Sequence, residues 1–93
     1  MKMKKIQWDP EKNRKLKEER GISFDEMLSC IENENVLGIR NHPKKQYKHQ
    51  KIFIIRLNKY VYYVPFVEDE NKLFLKTIIP SSKLTKEYLE KEK

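Results

Sequence analysis

Apolar and polar residues alternate at the start of the chain. Ile6 and Trp8 alternate with Lys5 and Gln7, the period-two pattern of a strand with one buried face. The pattern then turns almost wholly charged. "PEKNRKLKEER", Pro10 to Arg20, holds Leu16 as its one strong apolar residue, which predicts a thin, exposed helix. Asp9 suits its N-cap, Pro10 its first position and Gly21 the left-handed residue that closes it. In "ISFDEMLSCIENEN", Phe24, Met27, Leu28 and Ile31 recur at helical spacing and form the buried stripe of a second helix. Ser23 and Glu26 make a capping box, and Ile22 and Met27 suit a hydrophobic staple. Cys30 falls on the apolar register of the same helix and reads as a core residue.

The second half is strand-like. "VLGIRNHPKKQYKHQ" reads as a short strand and a polar loop. "KIFIIRL" and "YVYYVPFV" are two β-rich runs separated by "NK", which predicts a hairpin. Pro65 has no donor, so its strand is expected at an edge or bulged there. "EDENK" is the next turn and "LFLKTIIP" the last strand. "SSKLTKEYLEKEK" follows as a C-terminal helix with Leu84, Tyr88 and Leu89 facing inward. The order is β-α-α-β-β-β-β-α. It predicts an α+β fold, a small antiparallel sheet with the helices on one face, in one domain spanning residues 1–93.

Composition narrows the classes. The 93 residues are 38% hydrophobic and 38% charged, enough for a small core under a very polar surface. No run of about 18 apolar residues exists, so no transmembrane helix is expected. "MKMKKIQW" has cations but no apolar stretch, so it does not read as a signal peptide. The lone cysteine excludes an intrachain disulfide and fits the reducing cytoplasm. Lysine and arginine outnumber aspartate and glutamate by 21 to 14, a net charge of +7, which points to a polyanionic or acidic partner.

Candidate chemistry is confined. His42 and His49 are the only histidines, and with one cysteine they make no metal pattern; no cofactor is expected. Two glycines give no phosphate-binding loop. What remains is "NHPKKQYKHQK", Asn41 to Lys51, with Lys44, Lys45, Lys48, Lys51, two histidines and Tyr47. It is either a solvated basic loop or an RNA-contacting one. In the second reading lysines hold phosphate, Tyr47 stacks on a base, and His49 is the acid or base. Lys76 on the last strand either steadies a phosphate or is an ordinary strand lysine. Ser81 or Ser82 caps the last helix or serves catalysis, and the helix start beside Lys83 favours an anion.

Two stretches carry a resemblance. "IQWDPEKNRKLKEERGISFDEML", through Trp8, Asp9, Lys12, Asn13, Arg20, Gly21, Ser23, Phe24 and Asp25, resembles the opening of the BrnT family of type II toxins. "LKTIIPSSKLTKEYLEK" is similar to that family's ending. The resemblance implies a RelE-type ribonuclease fold, metal-independent RNA cleavage that halts translation, and a cognate antitoxin of ribbon-helix-helix type through which operator DNA is bound. Cleavage of this kind needs a base for the ribose 2′-hydroxyl, cations for the charged phosphorane and an acid for the leaving oxygen. Lys51, Lys76 and Lys83 are the expected cations, and His49 or Tyr47 moves the proton. The family pattern leads one to expect arginine where Ser82 stands. A serine cannot make the bidentate phosphate contact of a guanidinium, so a weakened toxin is expected. The alternative is a module without turnover, acting with an antitoxin as DNA-binding co-repressor or occupying RNA.

Overall fold

A computed structural model describes residues 4–89. The elements run β1 (Lys5–Trp8), α1 (Pro10–Arg20), α2 (Phe24–Glu32), β2 (Val36–Asn41), a single 3-10 turn (Lys45–Tyr47), β3 (Lys51–Leu57), β4 (Tyr60–Glu68), β5 (Lys72–Leu75), β6 (Ile79–Pro80) and α3 (Ser82–Leu89). The fold is α+β, as the alternating patterns predict. The expected continuation of the last helix through 90–93 lies outside the described residues.

The sheet is mixed rather than antiparallel. Its order is β1-β5-β4-β3-β2, with β6 also on β4, and β1 runs parallel to β5. The expected last strand "LFLKTIIP" breaks in two. β5 pairs Phe66 to Glu68 of β4, β6 pairs Tyr62 and Tyr63, and residues 76–78 lie between. The break answers for Pro65, which is in the central strand and not at an edge. Its carbonyl accepts the Lys76 N–H at 2.8 Å, so Pro65 turns its donor-free nitrogen toward the gap, where no ladder bond is lost.

Helices cover both faces of the sheet, not one. On the first face α1 and α2 pack over Phe53, Ile55, Val64, Phe66, Leu75 and Ile78. Trp8 stacks on Phe24 of α2 at 5.6 Å and packs on the same core cluster as Leu16 of α1. Within α2 the fully covered residues are Phe24, Met27 and Cys30, while Leu28 and Ile31 are half-buried. On the second face α3 packs Leu84, Tyr88 and Leu89 over Ile52, Ile54 and Val61. Ile52 to Ile55 are all buried, because β3 is covered on both sides.

The N-terminal motif residues turn out to be joinery. Asp9 caps α1 and Gly21 closes it at φ 67°. Asn13 accepts the Phe24 N–H at 2.7 Å and donates to Asp25 at 3.0 Å, so α1 holds the start of α2. The Ser23–Glu26 capping box is formed. Arg20 donates to the Ile78 carbonyl at 3.3 Å and so pins the segment between β5 and β6.

Candidate functional site

The second face is only partly covered. Past the N-terminal end of α3 the sheet opens into two adjoining clefts that share Tyr63. The first, of about 450 Å³, is lined by Arg40, Asn41, Pro43, Ile52, Tyr63, Ser81, Lys83, Leu84 and Glu87. The second, of about 360 Å³, is lined by Lys12, His42, Lys44, Tyr47, Gln50, Tyr63, Pro65, Lys76, Thr77 and Ile79. Five cations from five segments border the pair: Lys12, Arg40, Lys44, Lys76 and Lys83. Glu87 is the one carboxylate among the lining residues.

The basic loop is built, not loose. His42 N–H donates to the Gln50 carbonyl at 3.1 Å, and Gln50 N–H to the Tyr47 carbonyl at 2.8 Å. Inside this closure the Tyr47 N–H reaches the Lys44 carbonyl at 3.0 Å. The Lys44 N–H donates to His42 Nδ1 at 3.1 Å, and the His42 and Tyr47 rings sit 4.9 Å apart. Burial and the nearby Lys44 charge lower the His42 pKa from its usual 6.5, so the ring is neutral at pH 7. With Nδ1 accepting, a neutral ring carries its proton on Nε2. The His42 Nδ1 lone pair is thus committed to the Lys44 N–H, which leaves Nε2–H as the ring's donor.

The other side of the site is set by α3. Ser81 is its N-cap, taking the Leu84 N–H on Oγ at 3.1 Å. Ser81 N–H donates to the Val61 carbonyl at 3.0 Å. The Val61 N–H donates to Thr85 Oγ1 at 2.9 Å, and the Thr85 hydroxyl donates to the Ser81 carbonyl at 2.7 Å. These bonds bolt the first turn of α3 to the central strand. They leave the positive end of the helix dipole beside Lys83 at the first cleft.

Of the residues singled out from sequence, Ser81 and Lys83 line the first cleft and Lys44, Tyr47 and Lys76 the second. Lys76 is not on a strand. It follows β5 in the break, exposed, with Nζ 5.5 Å from the Phe74 ring centroid. Lys45, Lys48 and His49 are exposed and line neither cleft. Lys51 is not brought to the clefts either. Its place in β3 puts it in step with Phe53 and Ile55, on the first face, where the Lys4 hydrogen bond chiefly, and the Lys51 charge to a lesser degree, lower the Glu68 pKa. Ser82 is exposed as the first residue of α3, beside the first cleft but not in its lining.

Sequence reasoning passed over Arg40, His42 as distinct from His49, Lys12 as a site residue, and Glu87, and it did not single out Tyr63 from its aromatic neighbours. Tyr63 had a signal, since one tyrosine of the "YVYY" run had to face away from the first core. Arg40 sits one residue before the basic loop. Lys12 had none, because its place depends on how α1 lies against the sheet. Among the described residues no group of three or more His, Cys, Asp or Glu side chains could hold a metal ion. No described helix is long and apolar enough to cross a membrane. The chain matches no family model, no curated protein and no solved structure.

Proposed function

We propose that this chain is a metal-independent endoribonuclease that binds single-stranded RNA across the two clefts and acts as the toxin of a type II toxin–antitoxin pair. The observation that carries the RNA reading is the convergence of five cations and two tyrosines on one uncovered part of the sheet. Phosphate is bound by cations, and bases are bound by stacking on aromatic rings. Tyr47 and Tyr63 supply rings, and Lys12, Lys44, Lys76, Lys83 and Arg40 supply charge. The toxin role, the RelE-type fold and the ribbon-helix-helix antitoxin rest on the BrnT-like opening and ending of the sequence.

In this proposal the rate comes from charge placed around the phosphorane. Lys76 and Lys83 stand on opposite sides of Tyr63, one in each cleft. His42 adds an Nε2–H donor. The proton-transfer role expected of His49 has no geometric support, since His49 lies outside both clefts. Among the carboxylates and phenols of the clefts only Glu87 can take a proton as it stands, and it is engaged by Arg40; Tyr47 and Tyr63 are phenols, able to give a proton rather than take one. A second reading, an RNA-binding module without turnover, is favoured by that shortage of a free base.

An RNA cleavage assay with metals chelated tests the proposal. It compares the chain as it stands, Ser82→Arg and a Lys76→Ala, Lys83→Ala double variant. New RNA ends that are strengthened by arginine at 82 and lost in the double variant support the ribonuclease. Salt-sensitive RNA binding without cleavage by any of them moves the assignment to the binding module. Absence of both overturns the RNA reading.

A further inference from the structure

The first cleft contains an arginine that is already occupied. The Arg40 guanidinium lies 5.4 Å from the Tyr88 ring centroid and donates to the Tyr88 hydroxyl at 2.6 Å. The same nitrogen reaches a Glu87 carboxylate oxygen at 3.5 Å. Both partners come from one turn of α3, while Arg40 comes from β2, the far edge strand. The Tyr88 hydroxyl also lies over Gly38, two residues before Arg40 on β2, where a Cβ would stand in ordinary contact with it at 3.8 Å. Tyr88 therefore aims the guanidinium, and Glu87 neutralises it.

The two contacts differ in kind. The Tyr88 bond is short and backed by a cation–π contact, so it fixes position. The Glu87 contact is long, and both side chains are nearly half exposed, at 48% and 40%. An ion pair this open is worth little and exchanges readily. A phosphate is the better partner for a guanidinium, since it offers two oxygens in fork geometry.

We infer that Arg40 is the anion-gripping residue of the first cleft and that Glu87 is its resident counter-ion, displaced when a phosphate enters. The inference deepens the RNA reading and rests on it for the identity of the natural ligand. Glu87 thereby throttles binding. Its carboxylate holds the place in the free chain that a phosphodiester takes in the complex, and weak anions are turned away.

The test is a double-mutant cycle read with two probes. Inorganic phosphate is titrated while the Arg40 side-chain Nε–H signal is followed by NMR, and a single-stranded RNA oligonucleotide is titrated at several salt concentrations. Glu87→Gln is expected to tighten both by about two- to five-fold, the size set by an exposed ion pair, and to steepen the salt dependence of RNA binding. In an Arg40→Gln background, where phosphate affinity is followed on the Lys83 amide signal, the Glu87→Gln gain is expected to vanish. A gain that persists without Arg40 overturns the inference, because Glu87 then acts only as a diffuse charge. An Arg40 signal that does not move with phosphate overturns it too. If phosphate shifts Arg40 as expected but no variant binds RNA, the counter-ion stands and the RNA reading falls. Unchanged melting temperatures confirm that the variants are folded.

Discussion

The two faces of the sheet are built from the same strands and do opposite things. On the first face α1 and α2 seal Phe53, Ile55, Val64 and Phe66 completely. On the second, α3 begins only at Ser82, and its described residues pack over Ile52, Ile54 and Val61. Beyond it Tyr63 is left half-buried among cations. The closed face supplies stability. The open face gives up burial and keeps a site. A chain this small has one face to spare for that, and its location follows from where α3 begins.

The largest expected effect tests whether the closed face is the core. Phe24 is 0% exposed and stacks on Trp8. Phe24→Ala should cost about 3–5 kcal/mol, a large part of a domain stability of about 5–15 kcal/mol. Urea denaturation measures it. A loss below about 1 kcal/mol would break the comparison, since the first face would then not be where stability resides.

How much of this was legible in the sequence follows the same division. Local signals gave α1 and α2 with their caps, because Asp9, Gly21, Ser23 and Glu26 act within a few residues of themselves. The β3–β4 hairpin was legible for the same reason, although Asn58 and Lys59 both take positive φ at its turn. What did not show was anything decided between distant segments. The parallel pairing of β1 with β5 is one case, the gap that receives Pro65 another, and α3 on the opposite face a third. The site suffers most from this, because it draws on α1, β2, the loop, β4, the break and α3 at once. Sequence proximity favoured His49 and Lys51 with their loop, but alternation along β3 turns Lys51 to the closed face.

The next effect concerns what holds the open face in place. Val61 is fully buried, and its N–H depends on Thr85 Oγ1. Thr85→Val keeps the shape and removes the acceptor, leaving a buried donor unpaired at about 1–3 kcal/mol. Thr85→Ser, which keeps the oxygen, should recover most of the loss. If valine and serine cost the same in a thermal melt, the hydroxyl is not the bolt, and α3 is held by Leu84 and Tyr88 alone.

Tyr47 sharpens the contrast from the other side. It is 38% exposed and lines the second cleft. Tyr47→Ala should leave stability within about 0.5 kcal/mol. RNA affinity should fall by about 1–3 kcal/mol, the value of one stacked base. The pair Phe24→Ala and Tyr47→Ala thus separates stability from binding. A Tyr47→Ala variant that melts early but binds normally would reverse the roles given to the two regions.

The smallest effect reads the open face by its protonation. Burial and Lys44 lower the pKa of His42, so the folded chain binds this proton less readily than the unfolded chain does, where the ring has its usual value of 6.5. The sign follows from linkage. The stability that His42 lends the loop is complete above pH 6.5 and is lost as pH falls through the lower folded value. Protonation puts a hydrogen on Nδ1, opposite the Lys44 N–H, and the bond between them must break. An NMR titration should give a His42 midpoint below 6.5, with Nε2 protonated in the neutral form and the Lys44 amide shifting over the same pH range. A midpoint at or above 6.5 would mean that the Nδ1 lone pair is not committed to Lys44. His42 would then be free to accept a proton, and the shortage of a base on the open face, which favours binding without turnover, would disappear with it.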